Sequence, residues 1–338
     1  MGAPLRSCAE VTPIQLSLAI HYAGRIITTG IKPIGRIPAT IVGQIVVASA
    51  NSFHREHTER GAHAGAHVLC EKPMAKTEKD CEAMIRAAEE NKVKLMIAYR
   101  LHFNDANLRA IGVVQSGELG ELRYFNSLFG QQVHADNIRL DKKLSGGSLY
   151  DIGIYCINAA RYLFRDEPIE VVGLTANNGE QRFSEVEEMT SALLRFSRER
   201  LATFTCSFGS AIVSQYELVG TKGLLRLENA YEYLGELKCI TTINSKTTEK
   251  IFKPGDQFAP ELIYFSNCIL NDRAPEPSDK EGLADVRVIN AIYESAKTGQ
   301  LKRIEPVPKQ RRPEREMEIK RPPVKEPELV GAAAARSG

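Results

Sequence analysis

Three short apolar runs, QIVVASA from Gln44, AHVLC from Ala66 and VKLMIAY from Val93, are separated by two segments of helical length. Each run is continuous rather than alternating, which is the signature of a strand buried on both faces. In the first spacer Ser52 is a candidate N-cap, Glu56 and Arg60 stand four apart, and Gly65 is positioned to end the helix. In the second, Thr77 is a candidate N-cap with Asp80 three residues on, and Cys81, Met84, Ile85 and Ala88 fall on one helical face. Strand, helix, strand, helix, strand at these lengths implies βαβ units, hence a parallel sheet with right-handed crossovers. Few other architectures accept such a pattern.

Beyond Arg100 the pattern changes. A helix over NDANLRAIGVVQSG leads into the alternating ELRYFNSLFG, and GGSLYDIGIYCINAARYLF is expected to be a largely buried helix. Segments of period two follow between Glu170 and Phe252, joined by hairpin-length turns such as SRER and TKG, so a large antiparallel sheet is expected. Helices over APELIYFSNCILND and EGLADVRVINAIYESAKTG close that unit. The expected fold class is α/β: an N-terminal Rossmann-type parallel sheet, incomplete, then an α+β domain with a large, open, mainly antiparallel sheet. The expected boundaries are 1–100, 101–304 and a Pro- and charge-rich tail over 305–338, either extended and mobile or an arm on a partner subunit.

Composition removes several function classes. A formal net charge of +2 over 338 residues offers nothing to nucleic acid or an anionic membrane. No apolar run approaches the roughly 20 residues needed to span a bilayer. Cys70, Cys81, Cys156, Cys206 and Cys268 mostly sit in apolar segments, where a thiol is a small hydrophobe, and the odd total of 7 does not suggest a disulfide framework. A cytoplasmic protein is expected, although the acid-free stretch from Val11 to Arg55 also fits one description of an organelle transit segment. His54, His57, His63, His67 and Cys70 are close in sequence but divided between helix and strand, so no metal site is expected.

Chemistry is expected where the three strands end, because ligands of open parallel sheets bind outside the carboxyl ends of the strands. The second run stops at Glu71, Lys72 and Pro73, and the proline aims Lys72 away from helical continuation. Asn51 and His54 follow the first run, and Tyr99 and Arg100 the third. A single Lys after a strand is usually just solvated; polar groups at three successive strand ends suggest an active-site rim. Asp151 and Tyr155 stand four apart, so on a helix they share a face. Oxidising a secondary alcohol needs a hydride acceptor and a base for the hydroxyl proton. A Tyr, with an ordinary pKa of about 10, fills that role when an ammonium such as Lys72 stabilises its anion.

VLCEKPMA, IAYRLHF and GGSLYDIGIYCINAARYLF resemble the glucose–fructose oxidoreductase and inositol dehydrogenase family of NAD(P)-dependent oxidoreductases, over about Gln44 to Ile304. The resemblance is closest to its glucose–fructose oxidoreductase and dihydrodiol dehydrogenase branches, and Tyr rather than His at position 155 points the same way. It implies Lys72 and Tyr155 as the catalytic pair with Asp151 beside them. It also implies Asn51, His54, Glu71, Lys72 and Pro73 along the nicotinamide, Tyr99 and Arg100 near cofactor or substrate, and allows a cis Lys72–Pro73 bond. The implied reaction is hydride transfer between NADP or NAD and the carbinol of a sugar, polyol or cyclic diol. The implied assembly is a homodimer or tetramer through the open sheet, with Phe204 a candidate outward residue.

The family's Gly-rich turn has no counterpart here. Gly30, Gly35 and Gly43 do not form G-x-G-x-x-G, and 43 residues precede Gln44 where three strand–helix units need roughly 75. A catalytically impaired scaffold or sugar-binding protein is therefore the competing expectation. Glu10 is the sole acid in the first 55 residues, so no carboxylate is placed to repel a 2′-phosphate. NADP is expected over NAD, with Arg25, Arg36 or Arg100 meeting that phosphate.

Overall fold

The structure, a computed structural model, describes residues 43–309 and 311–320. Strands β1 (Gln44–Val47), β2 (His67–Glu71) and β3 (Leu95–Ala98) form a parallel sheet in that order, with Val47 opposite Cys70 and Cys70 opposite Ile97. Helices α1 (His54–His63) and α2 (Glu78–Glu90) make the crossovers. At α2 the Thr77 side chain accepts from the Asp80 amide at 3.2 Å while its hydroxyl donates to the Asp80 carboxylate at 2.6 Å, a reciprocal cap. Ser52 does not cap α1. A 3-10 turn over Asn51–Phe53 takes up the chain first, and the helix begins at His54 with no side-chain cap. Gly65 ends the segment at φ +77°, as its position suggested.

The chain continues through α3 (Asp105–Gln115) and β4 (Leu122–Gln132) to a π-helical turn over Leu149–Gly153 that runs directly into α4 (Ile154–Phe164). Then come β5 (Pro168–Ala176), β6 (Met189–Phe196), β7 (Leu201–Ser207), β8 (Gly209–Gly220), β9 (Gly223–Glu228), β10 (Leu237–Ile243) and β11 (Lys246–Phe252). After α5 (Ala259–Leu270) and α6 (Asp279–Thr298), the short β12 (Lys302–Arg303) completes a nine-stranded sheet ordered β11-β10-β9-β8-β4-β7-β6-β5-β12. It is antiparallel except for the β4–β7 pair.

One face of this sheet packs on α4 and α6. The Cβ that Gly153 lacks would stand 2.9 Å from Cys206 Sγ, so glycine lets the helix start press against β7. Phe204 points to this inner side, 3.5 Å from the same position, and so corrects its expected outward placement. The outer face keeps Tyr124, Leu128, Val172, Leu174, Leu193 and Leu201 exposed. These alternate with the buried Phe125, Val171, Leu194 and Ala202, as strand period demands.

The two sheets meet along a buried ionic seam. Arg161 of α4 pairs with Glu167 at 2.6 Å, with Glu281 at 3.0 Å and with Asp285 of α6. Asp285 also accepts from the Tyr99 hydroxyl at 2.6 Å. The residues after 305 were expected to be mobile or to reach a partner. Instead Lys309 pairs with Glu276 at 2.9 Å and contacts Glu281, Arg312 pairs with Glu167 at 2.7 Å, and Val307 and Met317 are buried. That stretch lies on the body of its own chain because the seam's carboxylates need its cations. The remainder of the tail lies outside the described residues, as do Gly30, Gly35, Arg25 and Arg36.

Candidate active site

A cavity of about 290 Å³ opens where the three parallel strands end and the large domain begins. Ser49 and Asn51 after β1, Glu71 and Lys72 at the end of β2, and Ala98 and Arg100 after β3 form its rim. The large domain contributes Phe129 and Gln131 of β4, Arg139, Asp151, Tyr155, Tyr231 and Tyr233, and Phe258 and Glu261 at the start of α5.

Lys72 is fixed from two sides. Its Nζ donates to the Asp151 carbonyl at 2.6 Å and to Asp151 Oδ1 at 3.3 Å, and lies 4.6 Å from the Tyr155 ring centroid. Burial alone would lower the Lys72 ammonium, but Tyr155, Asp151 and Glu71 outweigh it and hold its pKa above the ordinary value. Asp151 has its other oxygen on Arg139 Nε at 2.7 Å. Burial would push that carboxyl up; Arg139 and Lys72 together hold it well below the usual carboxylate range. Asp151 and Tyr155 do reach the cavity from neighbouring turns. Asp151 does so from the π-helical turn, a wider winding often found at functional sites, rather than from a regular helix. Among the described residues no hydrogen bond engages the Tyr155 hydroxyl, while its ring packs on Phe129 and Tyr231.

The other expected residues divide. Asn51 lines the cavity, and its Nδ2 donates to the Ser145 carbonyl at 3.0 Å. His54 borders it too, but Nδ1 and Nε2 face the Pro73 and Ser49 carbonyls at 2.8 and 3.0 Å, so this ring ties the first strand end to the second. Burial lowers its pKa. The Lys72–Pro73 bond is cis. Glu71 is pushed up by burial, offset in part by Lys72, whose amide donates to it at 3.3 Å. Tyr99 turns away from the cavity into the ionic seam. Arg100 is held by Gln257 and the Tyr231 carbonyl, with its guanidinium carbon 5.2 Å from the Tyr155 ring centroid. This puts Arg100 beside the proposed reacting groups, and its expected part on an adenosine 2′-phosphate is withdrawn.

Arg139, Tyr231, Tyr233 and Glu261 escaped the sequence reading. Arg139 sits in a short 3-10 turn over Ile138–Leu140 without a motif, and Glu261 in a helix whose apolar stripe suggested only packing. Glu261 is almost fully buried, and its Oε1 has no hydrogen-bond partner.

This donor set fits the nicotinamide end of a dinucleotide. A flat ring bearing a carboxamide meets a polar cavity at strand ends in which a tyrosine hydroxyl and a glutamic carboxyl stand unengaged among the described residues. The expected Gly-rich turn falls before Gln44, outside the described residues.

Two family models match the chain: "Oxidoreductase family, NAD-binding Rossmann fold" over residues 38–99, and "GFO/IDH/MocA C-terminal domain" over residues 107–226. The D-xylose 1-dehydrogenase [NADP(+)] of Haloarcula marismortui is 31% identical over 75% of this chain and 72% of its own. A trans-1,2-dihydrobenzene-1,2-diol dehydrogenase of Danio rerio is 31% identical over 54% of this chain and 55% of its own. Among solved structures, an aldose-aldose oxidoreductase from Caulobacter crescentus complexed with glycerol superposes with a TM-score of 0.74 at 38% identity, covering 78% of this chain and 79% of that one.

Proposed function

The chain belongs to the GFO/IDH/MocA oxidoreductase family, and from that premise we propose that it transfers a hydride between NADP and a carbinol of a sugar, polyol or cyclic diol. The observation that carries this reading is the Lys72–Asp151–Tyr155 cluster on one cavity wall. A nicotinamide held at these strand ends would supply the acceptor for the carbinol hydride, or its donor in the reverse direction. The chain's own task is the proton. The Tyr155 phenolate, stabilised by the Lys72 ammonium, takes it and becomes the phenol; in the reverse direction the phenol returns the proton and Lys72 stabilises the phenolate that is left. Asp151 holds the ammonium in place, and Arg139 holds Asp151. Phe129, Tyr231 and Phe258 narrow the cavity and exclude water around the transfer.

The xylose dehydrogenase, dihydrodiol dehydrogenase and aldose-aldose oxidoreductase among the relatives support a small polyhydroxylated or vicinal-diol substrate. The NADP dependence in the first of these names supports that cofactor over NAD. A dimeric scaffold with an impaired site is the weaker reading, because nothing in a scaffold requires an ammonium shared between a carboxylate and a tyrosine ring. We assign the outer face of the nine-stranded sheet to self-association. A depression of about 580 Å³ there is bordered by Leu128, Val172, Leu174 and Leu193, and its charged groups are Glu217 and Arg226. An antiparallel sheet hides such a face by packing on its symmetry mate.

The test is NADP-linked turnover of aldoses and cyclic diols by the wild type and Lys72→Ala. The variant is expected to fold and to lose about 10²-fold or more in kcat, as for loss of a positioned acid–base group. Near-normal turnover would refute the role given to Lys72.

A further inference from the structure

Glu261 is a cavity-lining carboxyl whose setting the proton chemistry does not use. It lies in the first turn of α5, is 3% exposed, and borders the same cavity as Lys72 and Tyr155. No hydrogen bond engages its carboxyl among the described residues, and Oε1 is sealed from water without a partner. A buried polar group left so costs free energy that the fold recovers only when something else supplies the partner. The charged groups that bear on it are Glu71 at the end of β2, Arg100 after β3 and Asp256 just before α5. The groups that bear on Lys72 are Tyr155, Asp151, Glu71 and Arg139. Glu71 thus bears on both Glu261 and Lys72, and Arg100, which also bears on Glu261, has its guanidinium carbon 5.2 Å from the Tyr155 ring centroid.

We propose that Glu261 engages the carboxamide of the bound nicotinamide. The assignment rests on the oxidoreductase reading and adds to it the residue that orients the ring. Burial and the neighbouring Glu71 push this carboxyl well above the ordinary range, Arg100 offsetting part of the shift, and its acid form offers one O–H donor and one carbonyl acceptor. A primary carboxamide offers the complement: its oxygen accepts from the O–H, and its N–H donates to the carbonyl. Holding the carboxamide fixes which face of the ring is turned to the carbinol, and that alignment is what near-attack positioning requires.

The experiment compares binding of NADPH and of 2′-phospho-ADP-ribose, which lacks the nicotinamide, to the wild type, Glu261→Gln and Glu261→Ala. Loss of two neutral hydrogen bonds should weaken NADPH binding to Glu261→Ala by about tenfold or more. Binding of 2′-phospho-ADP-ribose should not change. Glu261→Gln, which keeps a donor and an acceptor, should stay within about threefold of the wild type. Equal losses for both ligands in Glu261→Ala, or an unchanged NADPH affinity, would overturn the assignment. A wild type that binds neither ligand would instead sink the oxidoreductase reading, and the two failures are told apart by that control.

Discussion

His102 shows how much a single buried ring can say about pH. Its Nε2 lies 2.8 Å from Asn158 Oδ1, and Asn158 Nδ2 already donates to Glu281 and Asp285. The Asn158 oxygen is therefore the acceptor, Nε2 holds the proton, and among the described residues Nδ1 is left buried without a hydrogen bond, 3.9 Å from Glu276 Oε1. Burial, with help from Lys309, pushes His102 down to about 3, against 6.5 for an ordinary histidine. The folded state keeps the ring neutral while the unfolded chain binds a proton below 6.5, so this residue makes stability rise with pH between about 3 and 6.5. Urea midpoints measured from pH 7 to pH 5 should fall in the wild type, and fall less in His102→Gln. Parallel profiles for the two proteins would contradict this.

Among elements, those whose sequence signals are local were legible. The three apolar runs became β1, β2 and β3, and Thr77 with Asp80 capped α2, because strand burial and capping are decided within a few residues. The cluster of Lys72, Asp151 and Tyr155 was legible through its motifs, whereas Arg139 and Glu261 have no local signature and acquire meaning only from the cavity that distant segments of the chain enclose. The tail misled for the same reason. Pro, Lys and Arg resemble a solvated segment, yet Lys309 is 2% exposed among Glu276 and Glu281. Removing that ammonium leaves two buried carboxylates short of a cation. Lys309→Met should therefore cost about 3 kcal/mol or more in chemical denaturation, and Glu276→Gln in the same chain should recover part of it. Strictly additive losses would show that Lys309 and Glu276 do not depend on each other.

At the scale of the whole molecule, one unpartnered face and one cavity define what remains to be measured. Leu128 is 41% exposed on β4, the central strand of the nine-stranded sheet, and Leu193 is 40% exposed on β6 two strands away. Leu193→Lys should leave the inner core intact and reduce the mass found by light scattering from a dimer or larger to a monomer. A wild type that is already monomeric at micromolar concentration would remove the self-association proposal. The cavity bears the central claim, that Lys72, Asp151 and Tyr155 surround a nicotinamide site in a working oxidoreductase. It is tested most directly by titrating the full chain with NADPH and with NADH and following the emission of the reduced nicotinamide, since the chain has no Trp to mask it. The account predicts saturable binding of NADPH that changes this emission, with NADH binding more weakly. A folded protein that leaves the emission of both unchanged would contradict it.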